Sequence, residues 1–240
     1  MSNPSEASIP DPLVEAALAL VPDGAIVGLG SGRAATRFIK ALGRSVGEGL
    51  KVRGVPTSKS TEDLARNLGI PLVSLDEVES IDIAVDGADE VDPQLNLIKG
   101  LGGALVREKI VAAAAKKFVI LVGPEKLVQT LGDHGVLPVE VVPFALEFCR
   151  RRLAALGYPS VVRQRDGRTF ISDNGNPILD CQVTAMPDPA ALDAAIRPIP
   201  GVVGTGLFPN MADLVLIDRG ESVEQLARGH ARSSRIKNRP

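Results

Sequence analysis

The sequence predicts an α/β protein: a mostly parallel sheet with helices on both faces, and a smaller α+β unit with an antiparallel sheet set into the chain. The larger part follows from apolar runs of strand length, AIVGLG (25–30), IDIAVDG (81–87) and KFVILVG (117–123), which alternate with helical stretches. Strands that are apolar on both faces and separated by helices of this length pair in parallel. The smaller part follows from a change of texture after Gly132, where short strands succeed one another across Asp-Gly and Asp-Asn-Gly turns.

Taken in order, the first dozen residues, with Pro and Ser, predict a flexible lead-in, and Leu13 to Leu20 a short helix closed by Pro22-Asp23-Gly24. AIVGLG is the first strand, SGR its turn, and Ala35, Phe38, Ile39 and Leu42 repeat at helical spacing in the segment that follows. A strand around Val52 to Val55 leads into PTSKSTEDLARNLG, a helix with Leu64 and Leu68 on one face, and PLVSL reads as a further strand. IDIAVDG is a buried strand ending in carboxylates, KGLGGALVREKIVAAAAK a loop entering a helix, and KFVILVG another buried strand.

Beyond Gly132, LPVEVVP is extended and FALEFCRRRLAALG is a helix with an Arg-rich outer face. SVVRQR, RTFISD and PILDCQVT read as three short strands, Pro189 through Ile196 as a helix, and PGVVGTGLF as a strand or strand end. Met211 to Gly220 returns to the buried-strand pattern and ESVEQLARG reads as a short helix, both rejoining the first unit. Residues 1–132 and 207–240 are therefore expected to form one domain and residues 133–206 an inserted second one. The basic tail HARSSRIKNRP is expected to be frayed and solvated, being short and without aromatic partners for a nucleic acid.

Composition excludes several function classes. A chain of 240 residues buries a core without covalent staples, and 27 Lys and Arg against 29 Asp and Glu leave a net charge of -2, which asks for no nucleic acid. Aromatics are only 3%, too few for base-stacking platforms. Cys149 and Cys181 lie far apart with no CxxC, so neither a zinc site nor a disulfide framework is expected, and both read as buried small apolar residues. No basic region precedes an apolar run at the N-terminus, and no apolar stretch reaches membrane-spanning length, which points to a cytoplasmic protein without membrane partners.

Four segments carry chemistry. GLGSG, with Gly30, Ser31 and Gly32, follows a strand and enters a helix, where free amides and the helix dipole favour an anion. Arg33 stands where the dinucleotide fingerprint requires Gly, and no Gly-Lys-Ser/Thr follows, so NAD and ATP are disfavoured. Arg33 either contacts a phosphate or lies on the solvent face. Thr57, Ser58 and Thr61 are either donors to a ligand at the same sheet edge or, through Ser58 or Ser60, helix caps. Asp86 and Asp89, with Glu90, follow an apolar strand, a costly place for carboxylates unless they are solvated, paired or used. Polar binding of hydroxyls or acid–base work fits better than magnesium, since neither His134 nor His230 lies in a ligand cluster. Lys99 adjoins the turn Gly100, Gly102 and Gly103, and Glu108 stands between Arg107 and Lys109, which would favour its ionised form. Together these segments point to proton transfer on a small phosphorylated, hydroxylated molecule.

The ordered set GLGSG, PTSKST, DGADE, KGLGGALVREK, PEKLV, LPVEVVPF, DNGNPILD and PGVVGTGLF resembles the ribose-5-phosphate isomerase A family from about residue 12 to residue 226. The resemblance implies a Rossmann-like parallel domain with a smaller ferredoxin-like α+β domain, and assembly as a homodimer or, alternatively, a homotetramer. It implies interconversion of ribose 5-phosphate and ribulose 5-phosphate with no cofactor. It makes Glu108 the base, and gives Asp86, Asp89 and Lys99 ring opening, hydroxyl orientation and stabilisation of charge on oxygen. Phosphate contacts would fall on the GSG turn with Lys126, and PTSKST would frame the sugar. The chain departs from the pattern at Arg33 and Ala34, where the family has hydroxyls, at Leu101 and Gly123, and in lacking a Lys between Pro10 and Leu20. A sugar-phosphate sensor and a carboxylate-using transferase are the other classes, which substrate turnover separates from an isomerase.

Overall fold

Because the predicted strands are apolar on both faces, they can lie side by side only where helices cover each face, and the chain folds that way. The computed structural model describes residues 11–228 and 230–237; the lead-in expected over residues 1–10 lies outside the described residues. The first part of the chain contains α1 (Pro12–Leu18), β1 (Ile26–Leu29), α2 (Arg33–Gly47), β2 (Arg53–Pro56), α3 (Lys59–Asn67), β3 (Ile83–Asp86), β4 (Glu90–Val91), β5 (Leu97–Ile98), α4 (Leu105–Ala114) and β6 (Phe118–Val122). There follow β7 (Val136–Val141), α5 (Leu146–Ala155), β8 (Ser160–Val162), β9 (Gln164–Arg165), β10 (Arg168–Thr169), β11 (Ile178–Gln182), α6 (Pro189–Ile196) and β12 (Val202–Thr205). The chain then returns through β13 (Leu207–Phe208), β14 (Leu214–Asp218), β15 (Ser222–Ala227) and β16 (His230–Lys237).

The main sheet runs β16-β15-β14-β6-β3-β1-β2, with β2, β1, β3, β6 and β14 parallel. Side chains alternate across it with the period of a strand. Val27, Leu29, Ile83, Val85, Val119, Leu121 and Leu216 face α1 and α2, where Leu13, Phe38, Ile39 and Leu42 meet them. Ala84, Phe118, Ile120, Val122, Val215 and Ile217 face the opposite way, toward Val111 and Ala112 of α4. Gly28 permits that second contact, since a Cβ there would stand 2.6 Å from Val111 Cγ1.

The inserted elements form a second sheet, β12-β7-β11-β8, antiparallel throughout. Its element order, β7-α5-β8-β11-α6-β12, is ferredoxin-like. Leu137, Val139, Cys149, Leu153, Leu179, Cys181, Leu192 and Ile196 fill its core. Both cysteines are unpaired and buried, as expected, and burial with Asp180 nearby pushes the Cys181 thiol up to about 12. A short sheet, β13-β5-β4, lies where the chain passes between the two larger ones.

Three readings need correction. ESVEQLARG is not a helix but β15, antiparallel to β14. Val223 and Leu226 have helical spacing, yet Gly220 at φ +77° turns the chain back, and the amide of Arg219 donates to the Ser222 carbonyl at 3.0 Å; the turn outweighs a short periodicity. The basic tail does not fray over residues 230–237, because it adds β16 to the edge of that hairpin. PLVSL contributes only a single bridge, Leu72 to Gly54, before a 3-10 turn at Leu75–Glu77. RTFISD does begin with a strand, β10, which pairs with β9 across the Asp166-Gly167 turn, where both residues have positive φ, and stays apart from the four-stranded sheet.

Candidate active site

The parallel strands follow the order β2-β1-β3-β6-β14, so the chain steps outward from β1 to β2 and returns to β3 on the other side. The crevice at the carboxyl ends of β1 and β3 is the switch point at which doubly wound sheets bind ligands. Gly30 leaves β1 there, its amide donating to the Val85 carbonyl at 3.0 Å. A Cβ at this position would collide with the Asp86 carboxyl and stand 2.6 Å from Asp86 Cα, so only glycine lets the turn cross the end of β3. The Ser31 amide then donates to Asp86 Oδ1 at 3.1 Å. Gly32, at φ +90°, begins α2 without a side-chain cap, which leaves first-turn amides open to an anion.

Ser31 Oγ sits 2.9 Å from Thr57 Oγ1, 2.8 Å from Ser58 Oγ and 3.2 Å from Thr61 Oγ1. Those three residues are buried, and Thr57 and Thr61 also donate to the carbonyls of Leu29 and Gly30, each at 2.9 Å. They stand behind Ser31 and brace the GSG turn rather than lining the open cleft. Ser58 caps α3 as well, accepting from the Thr61 amide at 3.1 Å.

The charged residues converge next to this turn. Lys99 Nζ lies 3.0 Å from Asp86 Oδ2, 3.4 Å from Glu108 Oε1 and 2.6 Å from the Gly87 carbonyl, which accepts from it. Lys99, Asp86 and Glu108 are all buried. Glu108 Oε2 is buried with no hydrogen-bond partner, a costly state for a carboxylate. Burial, with the Asp86 charge next, pushes the Glu108 carboxyl up to about 8, against the opposing pull of Lys99. Burial also raises the Asp86 carboxyl, although Lys99 and the amides of Gly87 and Ser31 oppose it. Burial acts to lower the Lys99 ammonium, but the carboxylates, Asp86 foremost, outweigh it and hold Lys99 above its ordinary value. Asp89 Oδ2 accepts from the Leu101 amide at 3.0 Å.

The neighbours read from the sequence as cations beside Glu108 turn elsewhere. On a helix, adjacent residues point about 100° apart. Arg107 reaches Asn174 Oδ1 at 2.8 Å and the Asp173 carbonyl at 3.0 Å, while Lys109 lies 3.7 Å from Asp193, its ammonium pushed down to about 8 chiefly by burial. Lys99, from a separate loop, is the cation that meets Glu108.

These groups open on a cleft of about 840 Å³. Of the residues read from the sequence, Ser31, Gly32, Arg33, Asp89, Lys99, Gly100, Gly102, Glu108 and Lys126 line it. Asp86 is buried and does not line it, its Oδ2 held 3.0 Å from Lys99 Nζ, and Gly30 fits against the Asp86 backbone. Gly103, at φ +95°, is turned from the cleft toward Phe170. Arg33 is exposed at the start of α2, facing the same space as Lys126 after β6. Arg37, Asp218 and Arg219 also line the cleft and were missed. Their signals were the one-turn spacing of Arg33 and Arg37, and a carboxylate at the end of the strand LVLID. Among the described residues no three His, Cys, Asp or Glu side chains are grouped to hold a metal ion, and no helix is long and apolar enough to cross a membrane.

A doubly wound sheet with a buried carboxylate–ammonium cluster at its switch point, beside an uncapped helix N-terminus, places the chain among α/β proteins that hold a small ligand at that crevice. The chain belongs to the ribose 5-phosphate isomerase A (phosphoriboisomerase A) family, whose model matches residues 53–222. It is 50% identical over 224 residues to the ribose-5-phosphate isomerase A of Roseiflexus sp. (strain RS-1), covering 92% of this chain and 95% of that one. The ribose 5-phosphate isomerase A structure from Methanocaldococcus jannaschii superposes with a TM-score of 0.86 at 42% identity, covering 90% of this chain and 96% of its own. A D-ribose-5-phosphate isomerase in complex with phospho-erythronic acid gives 0.87 at 40% identity, over the same shares.

Proposed function

We propose that this protein interconverts D-ribose 5-phosphate and D-ribulose 5-phosphate, with Glu108 carrying a proton between C2 and C1 through a cis-enediolate. The observation that carries this reading is the Glu108 carboxyl, whose Oε2 is buried and unpartnered while Oε1 stands 3.4 Å from Lys99. A base works best when its proton affinity lies near the working pH, and Glu108 at about 8 meets that condition. Lys99 stays an ammonium and supplies positive charge where the enediolate oxygens become negative. Asp86 holds Lys99, and Asp89 faces the cleft to orient hydroxyls and assist ring opening. The amides at the start of α2, with Arg33 and Lys126, receive the phosphate; a guanidinium makes charge-assisted contacts where the family has hydroxyls. The proton is abstracted and returned within one molecule, so the reaction needs no hydride acceptor.

The reading extends to a cytoplasmic place in the non-oxidative branch of the pentose phosphate pathway. It also divides the chain into a catalytic unit, 1–132 with 207–240, and an inserted unit, 133–206, through which copies associate as homodimers or homotetramers. The test is conversion of ribose 5-phosphate, without cofactor and with chelator, by the parent and by Glu108→Gln. Parent turnover is expected, with kcat/KM rising as pH approaches about 8, and a loss of about 10²- to 10⁴-fold in the folded variant. An inactive parent would remove the substrate assignment, and an active variant the role of Glu108.

A further inference from the structure

We propose that Arg163, in the inserted unit, is a positioning residue that sets the catalytic loop Lys99–Gly103 against Asp89; the proposal rests on the isomerase reading above. Arg163 is 8% exposed, and its backbone is held on both sides: its amide donates to the Ile178 carbonyl at 2.8 Å and its carbonyl accepts from Phe170 at 2.9 Å. One edge of the guanidinium grips Asp180, Nε donating to Oδ2 at 2.9 Å and Nη2 to Oδ1. The remaining nitrogen, Nη1, donates to the carbonyls of Gly100 at 2.7 Å and Leu101 at 3.0 Å.

The Gly100–Leu101 peptide unit makes this contact functional. Its carbonyl oxygen accepts from Arg163, while its N–H, on the other side of a planar trans unit, donates to Asp89 Oδ2 at 3.0 Å. One rigid plane thus connects Arg163 to a carboxylate that lines the cleft. Within the loop the Gly100 carbonyl also accepts from the Gly103 amide at 3.0 Å, which closes the turn. Gly100 is at φ +103°, a region other residues avoid, and the Leu101 side chain is 44% exposed, so Arg163 is the side chain that ties this turn to the inserted unit. At the other end of the loop, the Lys99 amide donates to the Gly206 carbonyl at 2.9 Å. Asp180 orients a planar fork whose third nitrogen then points at the loop, a geometry that lysine cannot reproduce.

Arg163→Gln, Arg163→Lys and Asp180→Asn are compared with the parent for kcat, KM, the pH profile of kcat/KM and the melting temperature. Arg163→Gln is expected to lower kcat roughly 10- to 100-fold with KM within about threefold, the loss falling on the transition state. Its acid limb is expected at higher pH, because Lys99, which favours the ionised form of Glu108, is less well held. Arg163→Lys is expected to fall between that variant and the parent. A folded Arg163→Gln with parental kcat and pH profile, changed only in melting temperature, would overturn the proposal. If Arg163→Gln does not fold, Asp180→Asn decides in its place: a kcat loss with the shifted limb supports the proposal, and parental values overturn it. A parent inactive on ribose 5-phosphate removes the isomerase reading and this proposal together, whereas an active parent with unaffected variants removes the proposal alone.

Discussion

A buried carboxyl whose proton affinity is raised by its surroundings is also a statement about stability. Glu108 binds its proton more tightly in the fold than in the unfolded chain, because folding places it in a buried site beside Asp86. Its contribution to stability is therefore fully present below the ordinary glutamate value of 4.5 and is lost as pH rises toward about 8. Glu108→Gln, which keeps the shape and stays neutral, is expected to melt above the parent at pH 9 and close to it at pH 5, as followed by calorimetry. Melting temperatures that run parallel across this range would show that Glu108 has no perturbed proton equilibrium. The sequence reading set two cations beside Glu108, and the fold supplies a different one. Arg107 and Lys109 are neighbours along the chain, and helix geometry turns both away, while Lys99 arrives from a loop.

At the scale of elements, the site depends on how closely β1 passes β3. Gly30→Ala would drive a Cβ into the Asp86 carboxyl and against its Cα. Such overpacking is expected to cost about 1–3 kcal/mol, read as a lower denaturant midpoint, and to displace Asp86 from Lys99 with a matching fall in turnover. A variant with parental stability and rate would mean that β1 and β3 separate without consequence for the site. The strands β1, β3 and β6 and helices α2 and α4 were legible because long apolar or periodic segments reflect burial directly. The errors fell on short segments toward the sheet's edges: PLVSL beside β2, and β15 and β16. There, pairing with a neighbour decides the conformation, and local pattern holds little information about the neighbour.

At the scale of the molecule, the ferredoxin-like unit presents an apolar surface that this chain leaves uncovered. Phe144 is fully exposed, and Val142, Phe148 and Val203 are more than a third exposed; the Val142 amide pairs with the Gly201 carbonyl at 2.8 Å, which brings these segments together. Exposed apolar surface is typical of protein–protein contacts, and the association proposed above is expected to use this one. Light scattering is expected to return twice the chain mass of 25.2 kDa, or four times that value for a tetramer. Phe144→Asp is expected to lower the assembly state; an unchanged mass would place the association elsewhere. The same unit also sends Arg163 to the Gly100 and Leu101 carbonyls, in the loop that carries Lys99.

The sequence by itself determined the fold class, the position of the glycine turn at the first strand, and the chemical types gathered near it. These are local properties: burial period, turn residues and charge are written in consecutive positions. Tertiary structure decided which of those residues face the cleft. It put Thr57, Ser58 and Thr61 behind Ser31, buried Asp86 in an ion pair with Lys99, and brought Arg37, Asp218 and Arg219 to the cleft. Which side chains share a space depends on the crossing of strands and loops far apart in the chain, and on the low-dielectric surroundings that this crossing creates.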